Sequence, residues 1–124
     1  MDTIINKLCS IQGRLFELAV TKGYDSEAFI YAYMKSDIAR HFNSKYDGLQ
    51  WMGEEYILDL IEEKYSLPKG YVYSVDVMFW IGYMYCYWHY RTFHSCIDII
   101  KIASPKIMFQ NYYALHTIDK DLVI

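Results

Sequence analysis

VMFWIGYMYCYWHY, running from Val77 to Tyr90, is the stretch that decides the fold. Asp76 and Arg91 close it at either end, and nothing inside it carries a fixed charge. At 14 residues it falls short of the roughly 20 that a helix needs to cross a bilayer, and a run of this length reads as a core helix. At 100° per residue, Phe79, Tyr83, Cys86 and Tyr90 line one side, Trp80, Met84, Tyr87 and Arg91 the next, and Ile81, Tyr85 and Trp88 a third. A helix that is apolar all round is buried all round. The segment from about Ser74 to Phe93 is therefore predicted as the aromatic-rich central helix of an all-α protein, a single compact bundle of about six or seven helices. Gly82 and Cys86, four apart, leave a furrow where a neighbouring helix can come close.

The flanking sequence supplies the helices that surround it. A first helix is predicted from Asp2, which can cap it, to Lys22, with Ile4, Leu8, Ile11, Leu15, Leu18 and Ala19 on one stripe. Gly13 weakens its middle by about 1 kcal/mol against Ala unless another element packs close there. Gly23 ends it, and Asp25 or Ser26 caps a second helix whose Phe29, Ile30, Tyr33 and Met34 share a face. Ser36-Asp37 restarts the chain into a short third helix, Ile38 to Phe42, and Asn43 to Gly48 is dense in turn formers. A fourth helix follows from Leu49 to Tyr65, with Trp51, Tyr56, Ile57, Leu60 and Ile61 on its apolar side and five carboxylates opposite. Pro68 and Gly70 stop it, and Ser66 to Tyr73 reads as a hinge within one domain spanning residues 1–124. Beyond the central helix, Ser95 to Ala103 forms a sixth helix with Ile97, Ile100 and Ile102 inward. Ser104-Pro105 caps a seventh that runs to Leu115, and Thr117 to Ile124 reads as a cap and a first turn.

Composition bounds the function. With 124 residues and 14 tyrosines the chain has ample apolar surface for a core, which excludes a disordered segment. Twelve Lys and Arg against fifteen Asp and Glu give a charge of −3, which argues against nucleic-acid binding. In a helix-turn-helix within Ile30 to Tyr46, the recognition helix IARHFNSKY would be short and offer only Arg40, His41 and Lys45. Cys9, Cys86 and Cys96 are an odd set in apolar surroundings, so reduced thiols in a cytoplasm are expected. The N-terminus lacks the basic and apolar regions of a signal peptide.

Catalytic patterns are absent: no phosphate-binding glycine loop, no GxSxG and no HExxH occurs. His89 and His94, five apart, diverge on a helix, so no metal or cofactor is expected. Glu54-Glu55 and Glu62-Glu63 point 100° apart within each pair and read as a solvated acidic face. Trp51, Gly53 and Glu54 stand at the start of the fourth helix, where a carboxylate suits the dipole, and Asp76 does the same for the fifth. Arg91 sits amid Tyr87, Trp88 and Tyr90, where its guanidinium can stack on a ring or grip an anionic group.

Three stretches carry a resemblance: Met34-Lys35-Ser36-Asp37-Ile38-Ala39, then Leu49-Gln50-Trp51-Met52-Gly53-Glu54-Glu55-Tyr56-Ile57, then Trp80-Ile81-Gly82-Tyr83-Met84-Tyr85-Cys86-Tyr87-Trp88-His89-Tyr90. Lys101-Ile102-Ala103 and Leu115-His116-Thr117-Ile118-Asp119 continue it downstream. From about Phe29 to Ile124 the chain resembles small uncharacterised helical proteins of anaerobic, gut-type bacteria, encoded near ADP-ribosyltransferase-like toxin genes. That resemblance implies an antitoxin or immunity role and carries no catalytic motif. The pattern of those proteins has an Arg where Cys86 stands and a Thr-Gly or similar where Thr92-Phe93 stands, and it continues past Asp119 with an acidic-hydrophobic helix.

The expected function is a non-enzymatic protein-binding module that occludes a partner protein, a toxin encoded nearby or a second copy of itself. The excess of Tyr and Trp, residues enriched at interface hot spots, motivates it. The alternatives are a small-molecule-binding or enzymatic domain with an aromatic pocket, and a DNA-binding regulator. Trp51, Glu54, Trp80, Tyr83, Tyr87, Arg91 and His116 are the candidate partner- or ligand-binding residues.

Overall fold

In the computed structural model the described residues are 3–42 and 48–123, with Gln50 described by its backbone alone. The expected Asp2 cap, the turn formers at 43–47 and the terminal Ile124 lie outside them. The chain is all-α. Its helices are α1 (Thr3–Thr21), α2 (Ser26–Met34), α3 (Asp37–Phe42), α4 (Glu54–Lys64), α5 (Val75–Thr92), α6 (Cys96–Ile102), α7 (Pro105–Leu115) and α8 (Lys120–Val123). Among the described residues the only strand-like pairing is an isolated bridge between Tyr24 and Lys69.

Local chemistry sets the helix starts. Asp25 accepts the Ala28 N–H at 3.0 Å, and the Ser74, Ser95 and Ser104 hydroxyls accept from Val77, Asp98 and Ile107. Each satisfies a donor that has no partner within its helix. The fourth predicted helix is divided. Leu49–Met52 is a separate 3-10 turn, because Gly53 takes φ 92°, ψ 158°, a conformation closed to side-chain-bearing residues, and α4 starts after it.

The antiparallel pair α1 and α5 is the centre of the bundle. Gln12 lies against Gly82, Gly13 against Phe79, and the Tyr83 hydroxyl reaches back to Asn6. The glycines explain the closeness of the crossing. A Cβ on Gly82 would stand 2.8 Å from the Gln12 carbonyl oxygen and 3.0 Å from the Gly13 Cα. The furrow expected at Gly82 is thus filled by α1, and Gly13 has the close neighbour that its cost in helix propensity requires. Phe16, Phe29, Tyr33 and Tyr85 meet mostly edge to face in the core beside this crossing.

Two expectations need correction. In α6, Ile99 and Ile100 are buried, whereas Ile97 and Ile102 are exposed, because a helix of seven residues offers the core only one narrow face. Helix α5 is also not enclosed on every side. Its Ile81, Gly82, Tyr85 and Cys86 face is buried, but Phe79, Trp80 and Tyr83 remain half-exposed along one strip.

The segment at 66–73 is tied to the α1–α2 turn. The Asp25 and Ser26 amides donate to the Pro68 and Tyr71 carbonyls at 2.8 and 3.0 Å, and the Tyr71 and Tyr73 amides donate to the Asp25 and Ser26 side chains. Most buried tyrosine hydroxyls are likewise satisfied: Tyr33 by Gln12, Tyr73 by Glu27, Tyr85 by the Ala103 carbonyl and Tyr87 by Asp121. The Tyr90 hydroxyl is buried without a hydrogen-bond partner among the described residues. Cys9 and Cys86 are buried, Cys96 is half-buried, and none forms a disulfide. Among the described residues no helix is long and apolar enough to cross a membrane.

Candidate functional site

The half-exposed strip of α5 forms the floor of a groove of about 760 Å³, open along one side. One wall is α1, which contributes Ser10, Arg14 and Glu17; the other is the end of α7 with the turn leading into α8. The sequence places aromatic rings here by helical spacing. Phe79, Trp80 and Tyr83 stand on one side of α5, and Tyr112 and His116, four apart on the final turn of α7, face them.

Geometry fixes several of these groups. The Trp80 and Tyr112 rings meet at 78° with centroids 5.6 Å apart. The His116 ring lies flat against Tyr112, 4.2 Å between centroids. His116 Nδ1 stands 2.7 Å from the Tyr112 carbonyl, and since a carbonyl only accepts, Nδ1 carries the proton. The Tyr83 hydroxyl donates to Asn6 at 3.0 Å, and burial pushes its pKa up to about 12.

Charges of both signs border the groove. Arg14 Nε pairs with Glu54 at 3.0 Å. Burial, and after it the Asp76 charge, push the Glu17 carboxyl above its ordinary range, with Arg14 pulling the other way. Asp76 also adds to the burial that raises the Tyr112 hydroxyl. Among the described residues no cluster of His, Cys, Asp and Glu is arranged to hold a metal ion.

The seven candidate residues fall into three groups. Trp80, Tyr83 and His116 line the groove itself. Glu54 reaches it through Arg14, and Trp51, 53% exposed, lines an adjoining depression of about 380 Å³ that shares Ser10 and Arg14 with the groove. Tyr87 and Arg91 lie outside it. The Tyr87 hydroxyl donates to Asp121, Arg91 Nε is 3.4 Å from the same carboxylate, and both hold α8 in place. Sequence reasoning missed Arg14, Glu17 and Tyr112. The first two sit on the polar side of α1, where solvated charge is the ordinary reading, and Tyr112 belongs to a helix whose register against α5 is not encoded in its own periodicity.

No family model matches this chain, and neither does any curated protein or solved structure.

Proposed function

We propose that the protein is a non-enzymatic binding module that docks a partner protein along the groove between α1, α5 and α7. The observation that carries this reading is a set of exposed and half-exposed aromatic rings along two adjoining depressions. Trp51 lines one, Arg14 lines both, Trp80 and Tyr112 meet in the groove, and Tyr113, 83% exposed, packs edge-on to Tyr112. Large aromatic residues rimmed by charge are what interface hot spots are made of. The volume alone would also fit a small-molecule site, but such sites enclose most of their ligand, and this groove is open along its length. The partner favoured by the resemblance is an ADP-ribosyltransferase-like toxin encoded nearby, bound and occluded in a reducing cytoplasm.

Co-expression with the products of neighbouring genes, followed by affinity purification and mass spectrometry, tests the reading. The partner should be retained by the wild type and weakened at least tenfold by Trp51→Ala and by Tyr113→Ala, both exposed positions where folding is spared. A specific partner that binds both variants as tightly as the wild type would overturn it.

A further inference from the structure

Resting on the reading of the groove as a docking site, we infer that the docked segment of the partner presents a basic side chain, Arg in preference to Lys, which enters between Glu17 and Asp76 and lies along the Trp80–Tyr112 wall.

The charge pattern of the groove carries this. Glu17 projects from the last turns of α1 and Asp76 from the first turn of α5, and the antiparallel pairing brings them to the same end. Among the described residues neither carboxylate forms an ion pair. The cations that border the groove are engaged elsewhere. Arg14 is held by Glu54 at 3.0 Å and offsets only part of the Glu17 charge. Lys120 lies over the Tyr87 ring, 5.3 Å from its centre, and Tyr87 is three helical turns, about 16 Å of helix rise, beyond Asp76 on α5. Asp76 stands in the first turn of α5, where the helix dipole favours a carboxylate.

Two carboxylates facing one cavity repel, and this repulsion adds to the burial that raises the Glu17 carboxyl. An occupant without a cation would cover both charges and leave them unpaired, which is costly. A guanidinium instead offers several donors in one plane, enough to reach two carboxylates while its flat face lies against an aromatic ring. Its aliphatic stem would cover Phe79 and Trp80, which the bundle leaves half-exposed.

Selection of a displayed library of random dodecapeptides against the immobilised protein tests this, with affinities of the winners measured by fluorescence anisotropy. The groove is reported by two variants: Ser10→Trp, which fills it from α1, and Tyr112→Ala, which strips its wall. Enriched peptides are expected to share a basic residue, Arg more often than Lys, and to lose at least tenfold on both groove variants; a Lys consensus would overturn the preference for a guanidinium. They should weaken about tenfold on Glu17→Gln and on Asp76→Asn. Replacing the peptide's Arg by citrulline should cost the same factor on the wild type and nothing more on the Glu17→Gln/Asp76→Asn double variant. Peptides that need the groove but carry no basic residue, or ignore both carboxylate substitutions, would overturn the inference and leave the docking reading standing. No enrichment at all, or enriched peptides indifferent to Ser10→Trp and Tyr112→Ala, would overturn both.

Discussion

Exchanging Gln12 for Met, which keeps the length of the side chain and removes its amide, is expected to destabilise the protein by about 2–3 kcal/mol. Gln12 is 1% exposed at the α1–α5 crossing. Its Nε2 donates to the Gly82 carbonyl at 2.8 Å and its Oε1 accepts the Tyr33 hydroxyl at 2.9 Å. Gly82 can only accept, so the orientation of the amide is fixed, and Tyr33, fully buried, depends on it. Gln12→Met strands the Tyr33 hydroxyl, and Tyr33→Phe strands Gln12 Oε1, at about 1–2 kcal/mol for the second. The double variant strands neither. The Gly82 carbonyl loses a second donor but still accepts within α5, so the pair together should cost about 2 kcal/mol, well below the sum of the single variants. Urea unfolding followed by far-ultraviolet circular dichroism, with an unchanged slope, measures each corner of the cycle. A double variant whose loss equals the sum of the two single losses, within about 0.5 kcal/mol, would refute the coupled relay.

Gly82→Ala should cost about 1–2 kcal/mol in the same assay despite the gain in helix propensity, because the new methyl meets backbone at 2.8 Å; Gly13→Ala should cost less, since its tightest contact, at 2.7 Å, is the movable Phe79 ring and the Phe79 carbonyl oxygen is farther, at 3.0 Å. Alkaline pH should unfold the protein cooperatively. Burial raises the hydroxyls of Tyr33, Tyr73 and Tyr85 above their ordinary value of 10, so from pH 10 upward the unfolded chain releases protons that the fold retains. Stability then falls by about 4 kcal/mol per pH unit for the three, and tyrosinate absorbance should appear together with loss of helix; gradual ionisation with helix content intact would contradict this. Glu17→Gln should raise the Tm at pH 7, because the ionised carboxyl is disfavoured in the fold, and the gain should vanish as pH drops through the ordinary carboxylate range. Asp121→Ala should release α8, seen as faster amide exchange at Lys120–Val123, with little change in Tm because the ion pair with Arg91 is half-exposed and the released helix opens the Tyr87 hydroxyl to water.

Helix existence was legible because it rests on local chemistry. The 3.6-residue stripe of α1, the serine caps before α5, α6 and α7, and the close approach at Gly13 and Gly82 are all written in neighbouring residues. The division at Gly53 was not legible, because only the backbone conformation distinguishes a glycine inside a helix from one that separates two. The groove was legible in part. Trp80 and Tyr83 on the central helix and His116 beyond the seventh were among the candidates, and they do converge. Its open side was hidden, because a pattern that counts Tyr and Trp as apolar treats the Phe79–Tyr83 strip like the buried Ile81–Tyr85 face, although amphipathic rings are stable half in water. Which helix covers which part of α5 depends on tertiary register, and no single segment carries that information.

The docking site is tested most directly by hydrogen–deuterium exchange of the protein alone and in complex with the partner recovered from its genomic neighbourhood. Docking in the groove predicts slowed exchange on its floor and two walls, at Asp76–Met84, Ser10–Glu17 and Tyr112–Lys120, with little change at Phe93–Ile102 on the way to α7. Slowed exchange confined to Phe93–Ile102, with the groove walls exchanging as in the free protein, would contradict it.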